Sequence, residues 1–518
     1  MSDIKKLLNK DLNFKESFIF LASLLSLYLL PLIINGINYR DDYVRALRGN
    51  DWDILGRKLA DLSAQILTFG FGKIVNVSPL TYILSIVIIA LSLSYFIIKT
   101  RINKSLLTHI ALSFLFLGPL YLQNFSYKYD NLPMTLSVCL ALLSFSIRWD
   151  NYKKILVSTI SLTCSLFLFQ PSSNIFLVLC IMGFIIKSKE EKEIPFIFKS
   201  LCIYSISILS YYIWLKYINN LAETTRGKIV TLNEFGQTFK IATSVLKDFL
   251  SPFVASPIFL FICLLIIFYV LFICCKLYKS KETVLYKVIL ILSPILLFIS
   301  IWGPFILLDE IFSRPRVFVS IGAILSCLML IQNIMLSQYR ILNYILMSIW
   351  LLFSFSLMYQ YANLQKEDDL FNRELSSWIA YDINNNEELY SLPIVYVNGF
   401  PEKGPNTKVI MENNPFLKYI NMPYYNWFSR FVIESMGVKN VYKDINNIDD
   451  KYDWESICKF HTAVRIKNNK YYDIYIIENN KSLYKKHVSV WFKRNKDLCK
   501  DEPNLTDRKA YETKEAKF

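Results

Sequence analysis

Residues 17–35 read SFIFLASLLSLYLLPLIIN, and this apolar run decides the class of fold. It is long enough to cross the ~30 Å hydrocarbon core of a bilayer as a single helix. It is too long for a cleavable signal peptide, no small-residue cleavage site follows it, and further apolar runs come after it. We therefore expect an integral membrane protein in which this run forms the first spanning helix.

The composition of the whole chain agrees with this expectation. Of 518 residues, 54% are hydrophobic and 19% are charged, whereas soluble domains carry about 25% charged residues. The predicted fold class is mainly α, a polytopic membrane domain followed by a small α/β domain. The apolar runs predict eleven transmembrane helices, at residues 17–35, 80–98, 106–122, 132–148, 155–170, 174–187, 199–217, 255–275, 285–302, 315–335 and 342–361.

The basic residues predict the orientation of these helices. The net charge is +15, but no nucleic-acid-binding motif accompanies it, so a nucleic-acid partner is not expected. Much of the charge lies in short loops, as in cytoplasmic loops of membrane proteins. Merging 155–170 with 174–187 would place the 276–281 cluster outside, so the two runs are kept apart at the Gln170–Asn174 turn. The clusters are Lys5, Lys6, Lys10 and Lys15; Lys99, Arg101 and Lys104; Arg148, Lys153 and Lys154; Lys187, Lys189 and Lys192; and Lys276, Lys279 and Lys281.

With eleven spans the N-terminus is cytoplasmic and the C-terminal region is external. The predicted domains are a membrane domain at 1–361, an external α/β domain at 362–500 and a polar tail at 501–518. Strands are expected at 392–397, 463–466, 472–477 and 488–492, and a helix at 425–436. The other external segments would be 36–79, 121–131, 218–254 and 303–314.

Cysteine and histidine residues offer little chemistry. Eight of the ten cysteines fall in apolar runs, where they act as small hydrophobic residues, and there is no CxxC pair. Cys458 and Cys499 are a candidate disulfide if the C-terminal region is outside the cytoplasm. The three histidines are scattered along the chain, and their spacing predicts no metal site.

The stretch NYRDDYVRALRG, residues 38–49, directly follows the first apolar run and is rich in charge. Charge next to a bilayer is costly to bury and commonly marks a functional site. One reading is helix-end electrostatics, with Asp41 pairing with Arg45 and Arg57 with Asp61 at a spacing of four. The other is a general base, in which one aspartate takes a proton and its neighbour orients the acceptor or a cation. Since Asp41 is the one with a partner at that spacing, Asp42 is weakly preferred as the base.

Two amphipathic stretches lie in the predicted external loops. Leu59, Leu62, Ile66 and Phe69 recur at spacings of three and four, which predicts a helix lying on the membrane surface. A similar apolar stripe runs from Phe239 to Phe249.

Two further external motifs combine aromatic, acidic and basic residues. The stretch NFSYKYDNLP, residues 124–133, is either an aromatic interface belt or a sugar-binding edge. The stretch DEIFSRPR, residues 309–316, is either a charged loop cap or a phosphate site, because guanidinium groups match phosphate oxygens. Residues 223–228 have the same ambiguity.

Each motif alone is weak, but one topology places all of them on the same membrane face. A base that activates an acceptor hydroxyl and cations that stabilise a leaving phosphate are what sugar transfer from a polyprenyl phosphate requires. No P-loop or glycine-rich nucleotide motif is present, and an external site has no access to nucleotide sugars.

The residues that carry these motifs resemble the type II Gtr serotype-converting glucosyltransferases, GT-C-fold enzymes that modify bacterial O-antigen. The resemblance rests mainly on residues 38–49, followed by Trp52 and by GRKL at 56–59. SYKYD at 126–130, Gln170, the Arg314-Pro-Arg316 turn and YAN at 361–363 look like later family positions. It covers most of the membrane region and is much weaker over 390–518.

The resemblance implies an inverting transfer of glucose from undecaprenyl-phosphate-glucose to lipopolysaccharide O-antigen on the periplasmic side of the bacterial inner membrane. The expected partners are the lipid-linked donor, the O-antigen acceptor and membrane lipid. No metal site is predicted, although Mg²⁺ or Mn²⁺ is a candidate cofactor. The predicted site residues are Asp41, Asp42 and Asp130 for catalysis; Arg45, Arg57, Arg314 and Arg316 for the donor phosphate; and Tyr43, Tyr127, Tyr129 and Gln170 for the sugar or acceptor.

Two alternatives stay open. A related GT-C enzyme would use another lipid-linked sugar, or would modify lipid A or protein. A flippase or transporter of lipid-linked glycans would carry charges in the middle of its spans and related halves. Neither feature is evident in the sequence, which disfavours transport.

Overall fold

The structure is a computed structural model of the chain. It describes residues 11–49, 52, 55–70, 72–100, 102–147, 149–186, 193–217, 230–279, 283–307, 314–392, 394–398, 403–421, 426–439, 441, 463–478 and 486–492. Several predictions fall outside these residues. They are the Cys458–Cys499 disulfide, Asp309 and Glu310, the 223–228 segment, the polar tail, and the basic residues at 5–10, 101, 148, 187–192 and 280–282.

The chain divides into two compact units by its internal contacts. The first unit comprises Met1–Gly36 and Asn50–Gln360, and the second comprises Ile37–Gly49 and Tyr361–Phe518. The first is called the helical unit, and the second is called the C-terminal unit. The functional division into a catalytic membrane domain and a periplasmic domain stays a prediction.

Helices dominate the helical unit. They are α1 (Phe14–Asn35), α3 (Lys58–Thr68), α4 (Leu80–Lys99), α5 (Leu106–Leu117), α6 (Leu122–Ser126), α7 (Asn131–Ser146), α8 (Tyr152–Leu168), α9 (Ser173–Ile186), α10 (Glu193–Tyr217), α11 (Leu232–Val254), α12 (Ile258–Lys279), α13 (Val284–Ile299) and α14 (Val319–Met335). Short 3-10 turns occur at Pro119–Tyr121, Gln170–Ser172, Gly303–Leu307 and Pro315–Val317.

The apolar runs form the helices that the sequence predicts. α1 begins with a reciprocal cap, in which the Asn13 side chain accepts from the Glu16 backbone N–H and the Glu16 carboxylate accepts from the Asn13 N–H, both at 3.0 Å. The predicted break between the two short runs is present, because α8 ends at Leu168 and α9 begins at Ser173. Each of the eleven predicted segments coincides with a helix.

Length and composition separate these helices into two groups. Among the described residues, α1, α4, α10, α12 and the long helix α15 (Arg340–Asn384) are long and apolar enough to cross a bilayer. α5 and the segment Pro119–Ser126 would form a sixth span with a 44° bend. The structure therefore supports a membrane protein, and the predicted count of eleven spans stays a prediction.

Close helix packing occurs where α5 meets α14. A Cβ atom at Gly322 would lie only 2.6 Å from the carbonyl oxygen of Leu115, so only glycine allows the two backbones to approach this closely. His109 on α5 is fully buried, and its Nε2 lies 2.7 Å from the Ser17 hydroxyl on α1. This histidine therefore has a structural contact inside the helical unit.

The C-terminal unit contains α2 (Asp41–Arg48), the second half of α15, and a four-stranded sheet. Its other helices are α16 (Glu387–Ser391), α17 (Pro405–Asn413), α18 (Leu417–Ile420) and α19 (Asn426–Ser435), and its strands are β1 (Ile394–Asn398), β2 (Ala463–Asn468), β3 (Tyr472–Glu478) and β4 (Lys486–Phe492). The strand order is β1-β4-β3-β2, with β1 parallel to β4 and the other pairs antiparallel. The predicted strands and the 425–436 helix are confirmed.

Several helical segments of this unit are absent from the sequence analysis. α15 continues 23 residues past the predicted end of the last span at residue 361, and the short helices α16, α17 and α18 are not predicted either. The predicted span ends at residue 361, because the apolar run stops there and the residues that follow are largely polar. Their apolar minority, including Leu375, Ile379 and Ile383, packs with Ile474 and Val490 of the sheet and thereby stabilises the helix.

Candidate functional site

The aspartates of the first motif lie in the first turn of α2, in the C-terminal unit. The Asp42 side chain is fully buried, and its Oδ2 accepts a hydrogen bond of 2.9 Å from the backbone N–H of Tyr39. A carboxylate there also interacts favourably with the helix dipole. Asp41 is partly exposed. Burial therefore distinguishes the two neighbours, because Asp41 is the more exposed of the two.

The backbone around α2 bends sharply at both ends. Arg40, directly before the helix, has a φ of +49°, which is uncommon for a residue with a side chain. Gly49, directly after it, has a φ of +68°, which glycine adopts without steric cost. Arg40 and Arg45, which lie two and three residues from Asp42 in the sequence, are also buried. The segment therefore concentrates buried charges of both signs, as its composition predicts.

Tyr43 lies in the same helix and contacts α15 within the C-terminal unit. Its hydroxyl donates a hydrogen bond of 2.7 Å to Oδ1 of Asp369 on α15, whose Oδ2 accepts from Nε of Arg373. The sequence analysis assigns Tyr43 to sugar binding. In the structure the hydroxyl is engaged by a carboxylate of the chain itself, and a sugar-binding role stays a prediction.

In the helical unit, the aromatic hairpin 127–130 is buried and its conformation is tightly held. The amide of Asn131 donates to the carbonyl oxygens of Tyr127, at 2.7 Å, and Lys128, at 3.3 Å. The Thr81 hydroxyl donates to the same Lys128 carbonyl at 3.0 Å. Buried backbone carbonyls require such partners, so Thr81 and Asn131 hold the hairpin that presents Asp130.

Asp130 is buried and contacts Trp52. The indole N–H of Trp52 donates to Oδ1 of Asp130, and the Trp52 backbone N–H donates to Oδ1 of Asp61 at 2.5 Å. The Trp52 ring is fully buried in an apolar cluster that also contains Tyr129 and Leu168. One tryptophan therefore holds two buried carboxylates that lie 69 positions apart in the sequence (130 minus 61).

Arg316 lies against the same hairpin. Its backbone N–H donates to Oε1 of Gln123 at 2.9 Å, and its carbonyl accepts from Nδ2 of Asn124 at 3.4 Å. Its guanidinium carbon lies 4.9 Å from the centroid of the Tyr127 ring, in the geometry of a cation–π contact. Arg314 and Arg316 are both partly exposed. The structure therefore brings Tyr127 and Arg316 together, although they lie 189 positions apart (316 minus 127).

A second arginine is held by the 3-10 turn between α8 and α9. Nε of Arg57 donates to Oε1 of Gln170 at 3.1 Å, and the guanidinium carbon lies 4.9 Å from the Phe169 ring centroid. Nε2 of Gln170 donates to the Leu55 carbonyl at 3.0 Å and to the Tyr211 hydroxyl at 2.8 Å. Both amide donors of Gln170 are therefore engaged by the chain.

These contacts share one segment of the helical unit. Residues 52–61 touch Asp130 through Trp52, and they touch the Gln170 turn through Leu55 and Arg57. Asp130, Arg57 and Gln170 are thus joined through this segment, whereas Arg316 joins the hairpin through Tyr127. The other predicted residues, Asp41, Asp42, Tyr43 and Arg45, lie on α2 of the C-terminal unit.

Several residues at these positions are missed by the sequence analysis. Trp52 carries part of the family resemblance but receives no role, and Asp61 is considered only as a partner of Arg57. Gln123 and Asn124 form a polar pair at the end of an apolar run, a signal that could have been used. Tyr211 lies inside an apolar run and offers no such signal.

Among the described residues, no three histidine, cysteine, aspartate or glutamate side chains lie together in a group that could hold a metal ion. Mg²⁺ or Mn²⁺ stays a candidate cofactor.

Comparison with known proteins identifies the class to which this fold and these residues belong. The model of the family described as "Glucosyl transferase GtrII" matches residues 30–327, more than half of the chain. The chain belongs to this glucosyl transferase family, as the resemblance implies, and the family indicates that it is a transferase. The matched residues include all of the predicted site residues.

One curated relative resembles part of the chain. The chain is 32% identical over 181 residues to the "Uncharacterized 55.3 kDa protein in gtrB 5'region" of Salmonella phage P22. This alignment covers 34% of the chain and 37% of the phage protein, so it spans about a third of either. No solved structure matches the chain.

Proposed function

We propose that the protein is an integral-membrane inverting glycosyltransferase that moves glucose from undecaprenyl-phosphate-glucose to lipopolysaccharide O-antigen on the periplasmic side. Membership of the glucosyl transferase family carries this proposal. The clustering of carboxylates and arginines in short segments between long apolar helices supports it, because both chemical groups are needed for transfer from a phosphate-linked donor.

The proposed reaction is a single displacement at the anomeric carbon. A carboxylate of α2 takes the proton of the acceptor hydroxyl, and the acceptor oxygen forms a bond to that carbon. The bond between the anomeric carbon and the phosphate oxygen breaks, and the electron pair leaves with the phosphate. Asp41 is the stronger candidate for the base, because it is partly exposed while Asp42 is buried and accepts from the Tyr39 N–H.

Arginines would stabilise the charge on the leaving phosphate. Arg316 and Arg57 are partly exposed, and each is oriented by contacts to an aromatic ring. Arg314 is also partly exposed and lies two residues from Arg316, so a phosphate could contact both guanidinium groups. Arg45 is buried beside the aspartates, and we propose that it supports their charge.

Asp130 is proposed as a second acidic group of the site. Its Oδ1 accepts a hydrogen bond from the indole N–H of Trp52, which fixes the position of the carboxyl group. Tyr127 and Tyr129, which are buried, are proposed to contribute to sugar or acceptor binding.

The lipid-linked donor is proposed because of the inferred topology. An N-terminus in the cytoplasm places the charged segments on the periplasmic face, where nucleotide sugars are absent. A related enzyme that uses another lipid-linked sugar, or an acceptor in lipid A or protein, is the nearest alternative. A transporter is disfavoured, since the middles of the apolar runs are almost free of charged residues.

Comparison of surface polysaccharide from cells with and without the protein tests this function. We expect glucose to be added to the O-antigen repeat only when the wild-type protein is present. Cells that carry the Asp41→Asn and Asp42→Asn double variant, expressed at the same level in the membrane, are the control. An unchanged polysaccharide in wild-type cells, or a different added sugar, contradicts the proposal.

A further inference from the structure

The helix that carries the two aspartates is attached to the rest of the C-terminal unit by three hydrogen-bonding side chains. The Tyr39 hydroxyl donates to the carbonyl oxygen of Ile420, and the Tyr43 hydroxyl donates to Asp369 at 2.7 Å. Nη2 of Arg48 donates to both carboxylate oxygens of Glu434, at 2.7 and 2.5 Å. The sequence separations are 381, 326 and 386 residues.

These contacts come from both ends and the middle of the segment. Tyr39 precedes α2, Tyr43 lies in its first half and Arg48 is its last residue. Their partners lie on three different elements, α18, α15 and α19. Attachment at three points on three elements restrains both the position and the rotation of a short helix, which one contact cannot do.

The segment depends on such restraints, because it has little order of its own. An isolated helix of eight residues is marginal in water. The positive φ of Arg40 makes the turn into the helix unfavourable without support from its surroundings. In addition, the Tyr43 ring packs against the apolar core of the C-terminal unit. The orientation of Asp41 and Asp42 is therefore set by tertiary contacts.

We infer that the part of the C-terminal unit beyond residue 361 belongs to the catalytic machinery, because it positions the aspartate helix. In this inference, which rests on the proposed function, Tyr43, Arg48, Asp369 and Glu434 are positioning residues that act through Asp41 and Asp42. Asp369 and Glu434 lie beyond residue 327, where the family match ends. The C-terminal region thus contributes to the transfer step itself, in addition to any part in holding the acceptor.

The ion pair between Arg48 and Glu434 allows a charge-swap experiment. The expected result for Arg48→Glu and for Glu434→Arg is a fall in kcat of about tenfold with little change in the donor KM, since small displacements of a catalytic group are costly. The double variant, Arg48→Glu with Glu434→Arg, restores the pairing and is expected to recover most of kcat. The assay uses the full chain in detergent, with polyprenyl-phosphate-glucose and isolated O-antigen.

A matched control comes from another ion pair of the same unit. Nζ of Lys486 lies 3.0 Å from Oε1 of Glu388, away from the contacts of α2 described above. Lys486→Glu is expected to leave kcat at the wild-type value, and thermal unfolding should show that all variants are folded. Tyr43→Phe removes only the hydroxyl that contacts Asp369, and it is expected to lower kcat without changing the donor KM.

The outcomes separate this inference from the proposed function. Loss of transfer in the Asp41→Asn and Asp42→Asn double variant supports the function independently of the C-terminal unit. If that variant is inactive while Arg48→Glu, Glu434→Arg and Tyr43→Phe keep the wild-type kcat, the inference is overturned. A double charge swap that is no more active than its folded single variants overturns it as well.

Discussion

The indole N–H of Trp52 donates a hydrogen bond to Oδ1 of Asp130, and the two residues lie 78 positions apart in the helical unit. Both side chains are buried. Charge-assisted hydrogen bonds of this kind are stronger than neutral ones, and removal of the donor from a buried carboxylate is costly. The contact therefore ties the segment that follows the aspartate helix to the aromatic hairpin.

Trp52→Phe tests this contact, because it keeps an aromatic ring and removes the N–H. We expect the stability of the helical unit to fall by about 1–3 kcal/mol and the transfer rate to fall with it. Thermal unfolding and initial rates measure the two effects. The control is Trp149→Phe. It also removes an indole N–H, but that N–H donates to the Ser158 hydroxyl and the Ser144 carbonyl and not to a carboxylate. A Trp52→Phe variant with wild-type rate and stability would refute a role for the contact.

The two aspartates of α2 are predicted to differ on substitution. Asp41→Asn should abolish transfer and leave thermal stability unchanged, because Asp41 is partly exposed and is proposed as the base. Asp42→Asn should also lower stability, since a buried carboxylate that accepts from the Tyr39 N–H is replaced. Rate and unfolding temperature are measured together. Near-normal transfer in both single variants would show that neither aspartate is the base.

Arg314→Ala and Arg316→Ala are expected to weaken donor binding more than acceptor binding. The physical reason is the loss of a guanidinium group proposed to contact the donor phosphate. We expect the donor KM to rise about tenfold, equivalent to ~1.4 kcal/mol of binding free energy. Arg316→Lys keeps the charge and should be less affected. An unchanged donor KM in both alanine variants would argue against a phosphate role.

Tyr211→Phe is predicted to raise the donor KM through Arg57. The Tyr211 hydroxyl accepts from Gln170, which accepts from Nε of Arg57, and it donates to the Gly56 carbonyl at 3.1 Å. Its removal loosens the turn that carries Arg57, so a rise of a few-fold is expected, equivalent to ~0.5–1.5 kcal/mol. The control is Tyr269→Phe, whose hydroxyl pairs with Ser293 elsewhere in the helical unit. Equal effects in both variants would disprove a specific role for Tyr211.

The orientation in the membrane is open to a direct measurement. A phosphatase reporter that is active only outside the cytoplasm, fused after Phe518, should be active if the C-terminal unit is periplasmic. A second fusion, after Lys104 in a basic loop, is the control and should be inactive. An inactive reporter after Phe518 would overturn the proposed topology and the external roles that depend on it.

The sequence alone determined the helical character of the protein and the positions of the charged segments that are proposed to be functional. Apolar runs of about 20 residues form helices wherever they occur, since a helix satisfies its own backbone hydrogen bonds. The alternating runs near the C-terminus likewise predict β2, β3 and β4, because half-buried strands require alternation. Charged motifs between apolar runs stand out for the same local reason.

Only the tertiary structure decided which of these residues meet. The contact between Trp52 and Asp130 and that between Arg48 and Glu434 join residues 78 and 386 positions apart, and no local pattern encodes such distances. The choice between Asp41 and Asp42 as the proposed base also depends on tertiary structure. Residue spacing favours a paired Asp41 and a freer Asp42, whereas burial leaves Asp41 accessible and encloses Asp42. Burial depends on the packing of the whole chain around a residue, and spacing along one helix cannot report it.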